Sequence, residues 1–481
     1  MSASDARDRR FRGLYARPTD FKELARLDPE FAAVVKGRDL DFRDPKSVMQ
    51  LTKTLLRLDF GIKIHLPDDR LCPPVPNRHN YMIWLKDLLD TSSYDEPGQK
   101  RTGLDIGTGA SCIYPLLGCA QRPWSFIATG TSETFPYLTS MTLLPLTFLG
   151  ADTDPSSLEW AQSNIKLNDL SHRIHILPRH PDSPLIPLNE PGLPPTIDFT
   201  MTNPPFYSSE EEMLQSAQNK HRPPYTACTG STTEMVTPGG EVAFVQRIFT
   251  ESLVSRGHIQ WYTAMFGFLS SLTAFIETLH AHKVQNYAVT EFVQGNKTRR
   301  WAVGWSFQGL RPAQAVARGT RAALSKNLLP CVSEVDILTM DTRECPVREL
   351  ACGVSTAIAA LELVSWEWEQ ERYEGVGRAQ GKVWARAWRR RRQREKESGV
   401  GVKEGSLSAA VPSLGNESMF GFKVWIRVSV KQVTVGCRWL EGFDETAFES
   451  FQGFLKATAT KAAGQCSSIK AERESCAEVG A

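Results

Sequence analysis

The stretch "LDIGTGASCIYP", residues 104–115, joins an apolar run to a turn rich in glycine. Asp105 lies near the end of the apolar run, and Gly107, Gly109 and Ser111 follow it. Glycines let the backbone turn tightly and approach a ligand closely, and a helix is expected to begin after them. A G-x-G turn also occurs in plain strand-to-helix connections, so the neighbouring elements must decide between the two.

Elements of alternating type surround this turn between about 100 and 310. Strands are indicated by "RTGLDIG", "RIHIL", "TIDFTM" and "IQWYTAMFG", and helices by "SSLEWAQSNIKLNDL", "EVAFVQRIFTESLVS" and "SLTAFIETLHAHKV". "YAVTEFVQ" and "RRWAVGWSF" are typical of a final hairpin. The alternation predicts an α/β domain whose mainly parallel sheet carries helices on both faces.

An acid at the end of the second strand of such a sheet can bind a ribose diol. "TFLGADTDP" places Asp152 there, and we expect Asp154, followed by Pro155, to cap the next helix. "WSFIATG" (124–130) has the pattern of the same strand. The segment 131–147 is therefore either a loop excursion that duplicates the strand or additional sequence carried by the gene model.

A second chemical signal is "MTNPPF", which follows the apolar run "IDFT". The Asn203 carboxamide oxygen and the Pro204 carbonyl can accept hydrogen bonds from an exocyclic NH2 group. Pro204 and Pro205 stiffen the loop and donate nothing, so its carbonyls stay free. Phe206 can stack on a flat ring. The alternative is a proline-rich turn that only ends a strand.

With both signals in place, the chain resembles the Rossmann-like, S-adenosylmethionine-dependent methyltransferases that modify exocyclic amines. It most resembles the eukaryotic U6 snRNA N6-adenosine methyltransferases, which are related to bacterial 23S rRNA adenine-N6 methyltransferases. The resemblance covers about 40 to 310 and includes "FRDPKSVMQLTKTLLRLDFG", "VPNRHNYMIWL", "DIGTGASCIYPLLG", "NPPF", "GGEVAFVQRI" and "TEFVQGNKTRRWAVGWSF". It implies a Rossmann-like methyltransferase sheet with an N-terminal helical RNA-binding module, S-adenosylmethionine as cofactor and a structured RNA, such as U6 snRNA, as partner.

The resemblance also implies roles for individual residues. Asn203, Pro204, Pro205 and Phe206 match the catalytic tetrapeptide of the family. Arg78 resembles the arginine that holds the cofactor's methionine carboxylate, which a guanidinium can bind through both oxygens; the alternative is a surface ion pair. Asp152 stands where the family usually has a glutamate. The implied cofactor-binding residues are Arg78, Asp105, Gly107, Gly109, Ser111, Asp152 and Asn203.

Basic clusters flank the same region and are expected to contact RNA phosphates. They lie in "RDRRFR", around residue 43, in "NKHRPPY", in "GNKTRRW" and in "WARAWRRRRQREK". Each charge taken alone could equally be a solvated surface residue. The candidate RNA-binding residues are Arg10, Arg12, Arg43, Lys220, Arg222, Lys297, Arg299, Arg300 and Arg390.

The chain is long enough for two or three domains. We predict a basic arm and helical module over 1–95, the methyltransferase core over 96–310 and a smaller C-terminal α+β module, with a possible role in RNA binding, over 311–381 and 417–460. A basic, flexible linker is predicted over 382–416 and a disordered tail over 461–481. In the module, "ELACGVSTAIAALELVSWEWEQERYEG" is typical of one long helix.

Composition narrows the functional classes. The ten cysteines never form C-x-x-C, so neither a zinc site nor a disulfide framework is indicated. No apolar run approaches the ~20 residues of a membrane span. We therefore expect no metal, no membrane partner and a reducing compartment, the nucleus and also the cytoplasm. The competing functions are an rRNA adenine methyltransferase, a protein glutamine methyltransferase and an RNA-binding regulator without turnover. The oligomeric state is left open.

Overall fold

The computed structural model describes residues 3–479 except 38, 69, 132–156, 181, 189, 191–192, 194–195, 219–234, 295–297, 321–327, 344–345 and 398–418. The chain divides into two compact units. The first comprises Met1–Asp90, Tyr94–Phe307 and Val316–Pro330, and the second comprises Thr91–Ser93, Gln308–Ala315 and Cys331–Ala481. The N-terminal helices and the sheet that follows them thus belong to the same unit.

The helices that precede the sheet begin at well-formed caps. The side chains of Asp20, Asp28 and Asp44 accept hydrogen bonds from amides in the first turns that they cap. A π-helical segment at Leu56–Phe60 extends the fourth helix and ends at Gly61, whose φ is 71°. The helices are α1 (Ala3–Gly13), α2 (Phe21–Leu27), α3 (Pro29–Ala32), α4 (Pro45–Leu55) and α5 (Val75–Thr91).

Within the described residues, the first unit contains an eight-stranded sheet in the order β3-β2-β1-β4-β5-β7-β6-β8. Neighbours among β1 to β5 run parallel, and β7 runs antiparallel to β5 and β6. The strands are β1 (Thr102–Ile106), β2 (Ser125–Thr131), β3 (Ile174–Arg179), β4 (Phe199–Thr202), β5 (Trp261–Phe266), β6 (Asn286–Gln294), β7 (Thr298–Ser306) and β8 (Arg318–Gly319). The predicted α/β sheet and its closing hairpin are confirmed.

Helices cover both faces of this sheet. Strand β5 shows it directly, because Trp261 and Met265 pack into one hydrophobic cluster while Tyr262, Ala264 and Phe266 pack into the other. The helices between and after the strands are α6 (Ile113–Gln121), α7 (Ser157–Leu167), α8 (Glu210–Gln218), α9 (Gly240–Ser255), α10 (Leu269–Ala281) and α11 (Gln314–Ala317).

The predicted basic arm is a docked helix. Phe11 of α1 is buried and stacks on Phe60, with ring centroids 5.6 Å apart. Asp8 of the same helix pairs with the buried Lys86 and with Arg122. An apolar anchor and buried ion pairs hold α1 against the core, which the charge pattern of the segment alone does not show.

The second unit contains, in its described part, an antiparallel five-stranded sheet in the order β10-β11-β12-β13-β9. Helices α12 and α14 approach closely, since a Cβ on Gly353 would lie 2.8 Å from Ala462 Cβ. The elements are β9 (Glu334–Asp341), α12 (Val347–Ala359), β10 (Ser365–Glu369), β11 (Glu374–Gln380), α13 (Arg386–Glu397), β12 (Met419–Val428), β13 (Gln432–Glu441) and α14 (Glu445–Val479). The predicted α+β class of this module is confirmed.

Three details of the second unit differ from the sequence predictions. The predicted long helix ends at Ala359, and "SWEWE" forms β10, where Trp366 stacks on Phe422. Period-two tryptophans fit a strand better than a helix. The predicted linker contains α13, and the predicted disordered tail continues α14 to Val479. Both segments are rich in strong helix formers such as Arg, Lys, Glu and Ala.

Candidate active site

The two sequence signals meet at the carboxyl edge of the sheet. Strands β1 and β4 are parallel neighbours, with Ile106 opposite Thr202. The Thr202 hydroxyl donates to the Ile106 carbonyl at 2.7 Å and ties the two strand ends together. Gly107 and Asn203 therefore leave adjacent strands side by side, where ligands bind in open parallel sheets.

The glycine turn needs its glycines for backbone conformation. Gly107 and Gly109 have φ values of 78° and 61°, in the region that other residues rarely adopt. The amides of Gly107 and Thr108 both donate to the Thr129 carbonyl, at 3.1 and 2.8 Å. A Cβ on Gly107 would meet no protein atom within 4 Å. The turn is thus fixed from the β2 side and leaves open space beside Gly107.

Asp105 is fully buried and has no hydrogen-bond donor for either carboxylate oxygen among the described residues. The nearby Thr108 hydroxyl donates instead to Cys112 Sγ at 3.4 Å. Burial raises the pKa of Asp105 to about 7, while Thr108 and the positive charge of Arg78 act in the opposite direction. Burying an acid without a hydrogen-bond donor costs free energy of folding unless a ligand supplies the donor.

Arg78 on α5 links Asn203, which follows β4, to the first turn of α6. Its Nη1 donates to Asn203 Oδ1 and to the Tyr114 hydroxyl, both at 2.9 Å, and lies 3.6 Å from Met265 Sδ. Its Nε is buried without an acceptor in the described part of the chain. Arg78 is 7% exposed, so it is no surface ion pair.

These incomplete groups fit the amino-acid end of S-adenosylmethionine. Asp105 offers a buried negative charge without a donor, and Arg78 offers a buried positive charge with an unused N–H group. An ammonium and a carboxylate would complete them respectively. Ser111, which is also buried, and the open space beside Gly107 lie in the same turn. Asp152 lies outside the described residues, so its ribose contact stays a prediction.

Phe206 has two neighbours that sequence reasoning did not connect with it. A Cβ on Gly267 would lie 3.0 Å from Phe206 Cδ1, so the Gly267 backbone packs against the ring. The Arg300 guanidinium carbon lies 5.2 Å from the Phe206 ring centroid, within cation–π range. The ring remains partly exposed.

Sequence reasoning also missed Glu241, in the first turn of α9. Glu241 is 2% exposed and accepts hydrogen bonds from the amides of Gly267, at 2.6 Å, and Phe268, at 3.1 Å. Burial raises the pKa of Glu241, against the effect of these donors and of the Arg300 charge. The available signal was an acid placed between "GG" and the apolar helix "VAFVQRIF". A charge at the start of such an apolar helix does nothing for its packing, so it indicates another role.

The N-terminal RNA candidates are already engaged within the protein. Arg12 forms a two-pronged ion pair with Asp87, one contact being 2.8 Å, and this pair raises the pKa of Arg12. Arg10 donates to the Asp59 carbonyl at 3.0 Å. Both side chains remain partly solvent-accessible, but these contacts within the protein stabilise the docking of α1. Arg43 is exposed on the segment before α4.

The remaining candidates divide by position. Arg299 is exposed and pairs with Glu291 at 2.6 Å, whereas Arg300 is half-buried over Phe206. Burial lowers the pKa of Arg300, with the Arg78 charge acting in the same direction. Arg390 is exposed on α13 of the second unit. Lys220, Arg222 and Lys297 lie outside the described residues.

The described residues contain no cluster of three His, Cys, Asp or Glu side chains able to hold a metal ion. None of their helices is both long and apolar enough to cross a bilayer.

Comparison with known proteins agrees with this site. A family model described as RNA methyltransferase matches residues 3–137 and 127–309. The U6 small nuclear RNA (adenine-(43)-N(6))-methyltransferase of Schizosaccharomyces pombe is 33% identical over 418 residues, which cover 87% of this chain and 94% of that protein. The RNA N(6)-adenosine-methyltransferase METTL16 of Homo sapiens is 37% identical over 298 residues, 60% of this chain and 49% of that protein.

A solved structure agrees as well. The catalytic domain of human METTL16 in complex with MAT2A 3′UTR hairpin 1 matches with a TM-score of 0.51 and 35% identity, covering 64% of this chain and 96% of that one. The family model spans more than half of the chain, and the fission yeast relative is matched over nearly its whole length. The chain belongs to the RNA methyltransferase family that contains the U6 snRNA N6-adenine methyltransferases and METTL16.

Proposed function

We propose that this protein transfers a methyl group to N6 of an adenosine in a structured RNA, with U6 snRNA as the substrate and S-adenosylmethionine as the cofactor. The observation that carries the proposal is the meeting of the Asn203–Phe206 loop with the glycine turn after β1, where Arg78 holds the Asn203 side chain. The fission yeast relative, named for adenine N6 methylation of U6 snRNA, supports the choice of RNA.

The protein's contribution is mainly one of positioning. S-adenosylmethionine supplies an electrophilic methyl group on a sulfonium sulfur. A carboxamide oxygen has two lone pairs, and Arg78 uses one of those on Asn203 Oδ1, so one is left for the adenine amine. Phe206 offers a face on which a base can stack, a contact worth ~1–3 kcal/mol. Orientation of this kind needs no strong base in the loop.

A panel of short RNA hairpins tests the proposal, with nucleoside mass analysis of the products. We expect N6-methyladenosine in a hairpin carrying the U6 target sequence, unaffected by the addition of protein substrates. Methylation of an rRNA hairpin alone would move the substrate to ribosomal RNA, and RNase-insensitive methylation of protein glutamine would overturn the RNA assignment.

Two loop variants test the assigned roles. Asn203→Ala should lose most of its turnover while still binding S-adenosylhomocysteine. Phe206→Ala should lose far more turnover than cofactor affinity, because its ring contacts the base. Equal, near-zero rates for wild type and Asn203→Ala would favour an RNA-binding regulator without turnover, and a parallel loss of cofactor affinity in Phe206→Ala would contradict its role.

We also propose that the second unit adds RNA affinity through α13. This helix carries Arg389 and Arg390 on its exposed surface. In the full chain, replacing both with Gln should weaken hairpin binding and lower its salt dependence, whereas Lys456→Gln on α14 should not. Unchanged binding in the double variant would remove α13 from the RNA interface.

The same basic run supports a nuclear location as a proposal. Imaging of a fluorescent fusion tests it, with the Arg389/Arg390 double variant beside wild type. A purely cytoplasmic wild-type fusion would contradict it.

A further inference from the structure

Glu241 and the Phe206 ring are connected through one short loop, the segment between β5 and α10. The two Glu241 oxygens are used separately, Oε2 by the Gly267 amide and Oε1 by the Phe268 amide. Two consecutive backbone donors on one buried carboxylate fix both the position and the orientation of the loop between β5 and α10. The first turn of α9 also suits a negative charge because of the helix dipole.

The loop in turn contacts the residues that follow Asn203. A Cβ on Gly267 would meet Phe206 Cδ1 at 3.0 Å and Phe206 Cε1 at 3.3 Å, so the backbone lies against the ring with no spare space. The Phe268 ring packs edge-on against Tyr207, with centroids 6.5 Å apart. The two residues held by Glu241 therefore contact two consecutive residues, Phe206 and Tyr207.

From these contacts we propose that Glu241 is a positioning residue for methyl transfer. By holding the Gly267 and Phe268 amides, it sets the wall against which Phe206 rests, and thereby the angle at which the target base stacks. This inference rests on the proposed function, because it assigns to Phe206 the role of base platform. Glu241 itself touches neither the base nor the cofactor in this scheme.

Helix α9 provides a matched control. Glu251, nearly three turns further along, also accepts from two consecutive amides, those of Leu185, at 3.0 Å, and Ile186, at 2.8 Å. It differs in being more exposed and in pairing with Arg247 at 3.4 Å. Replacing Glu251 with Gln removes the same chemistry from the same helix without touching the Phe206 wall.

The test compares Glu241→Gln, Gly267→Ala and Glu251→Gln in the full-length protein. Glu241→Gln replaces one acceptor oxygen with an NH2 group that cannot accept a hydrogen bond. Gly267→Ala presses a methyl group onto the ring and onto Glu241 Oε2, which would lie 3.3 Å from the added Cβ. The first measurements are kcat and KM with the substrate hairpin that wild type methylates, and the affinity for S-adenosylhomocysteine. The second is the fluorescence of 2-aminopurine placed at the target adenine of that hairpin, which reports stacking.

We expect Glu241→Gln and Gly267→Ala to lower kcat at least tenfold, to change cofactor affinity less than twofold and to alter the 2-aminopurine signal of the bound hairpin. Glu251→Gln should keep kcat within twofold. If Glu241→Gln does not fold, Gly267→Ala decides, since it keeps the carboxylate. Unchanged kcat in both folded variants, or an equal loss in Glu251→Gln, overturns the inference. Failure of wild type to methylate any hairpin would instead overturn the proposed function.

Discussion

Two buried carboxylates at the candidate site are satisfied in opposite ways. Asp105, near the end of β1, has no donor on either oxygen among the described residues, whereas Glu241, at the start of α9, receives two backbone N–H groups. Burial raises the pKa of both. The difference indicates that Asp105 is available to bind a cationic group of a ligand, whereas Glu241 already binds backbone amides of the protein.

The largest expected effect separates the two acids by cofactor binding. Asp105→Asn should weaken S-adenosylhomocysteine binding by about 12- to 160-fold, since a hydrogen bond to a charged group is worth ~1.5–3 kcal/mol. Glu241→Gln should bind it within twofold of wild type. Titration calorimetry measures both, and equal losses in the two variants would erase the distinction between ligand-directed and scaffold-directed acids.

Stability without cofactor should move in opposite directions. The folded pKa of Asp105, about 7, exceeds its ordinary value of 3.8, so its favourable contribution is complete below about pH 4 and is lost as pH rises through 7. At pH 8, Asp105→Asn should therefore raise the melting temperature. Glu241→Gln should instead lower the free energy of unfolding by ~1–3 kcal/mol, because one of the two buried amides loses its acceptor. The raised pKa of Glu241 acts in the other direction at pH 8 and reduces this loss.

Thermal melts of both variants at pH 8 check these signs. The contrast should shrink for Asp105→Asn near pH 3, below the ordinary pKa of 3.8, where the wild-type acid is mostly protonated in both the folded and the unfolded states. A destabilised Asp105→Asn at pH 8 would mean that its oxygens have partners within the protein after all.

What could be predicted from the sequence follows from how local each feature is. The glycine turn and "NPPF" are short segments at strand ends, and strand alternation alone places such ends at the same edge. The contact between Arg78 and Asn203 joins residues 125 positions apart, so no local pattern reveals it. Glu241 was missed because its partners, Gly267 and Phe268, lie beyond the next strand.

Charge patterns in the sequence predicted less about the site than the glycine turn and "NPPF" did. The N-terminal arginines predicted as free phosphate contacts are used to dock α1, as the Arg12–Asp87 pair shows. Arg300 was predicted to contact phosphate and instead lies over Phe206. A charge count gives the number of cations, but burial and the acids of other elements decide which remain available.

Cofactor affinity should depend on pH in wild type alone. An ammonium group binds the carboxylate form of Asp105, so below about pH 7 a proton must first leave the buried acid. Affinity for S-adenosylhomocysteine should then rise about tenfold per pH unit up to 7 and level off above it. In Asp105→Asn the profile should be flat between pH 5.5 and 7.5. An equal slope in the variant would assign the titration to another group.

The smallest expected effect tests whether Glu241 depends on charge at all. Arg300 is a cation whose field acts on Glu241, but the hydrogen bonds that Glu241 accepts come from the Gly267 and Phe268 amides and from the Ser271 hydroxyl. Arg300 itself is half-buried, which lowers its pKa and costs free energy, so its cation–π contact with Phe206 is partly offset.

Arg300→Met, which keeps much of the side-chain volume, should therefore change the free energy of unfolding by less than ~1 kcal/mol. Its melting temperature should lie between those of wild type and Glu241→Gln, closer to wild type. A loss as large as that of Glu241→Gln would show that the Arg300 charge holds the carboxylate in place. The two buried acids would then differ only in whether their cation comes from the protein or from the ligand.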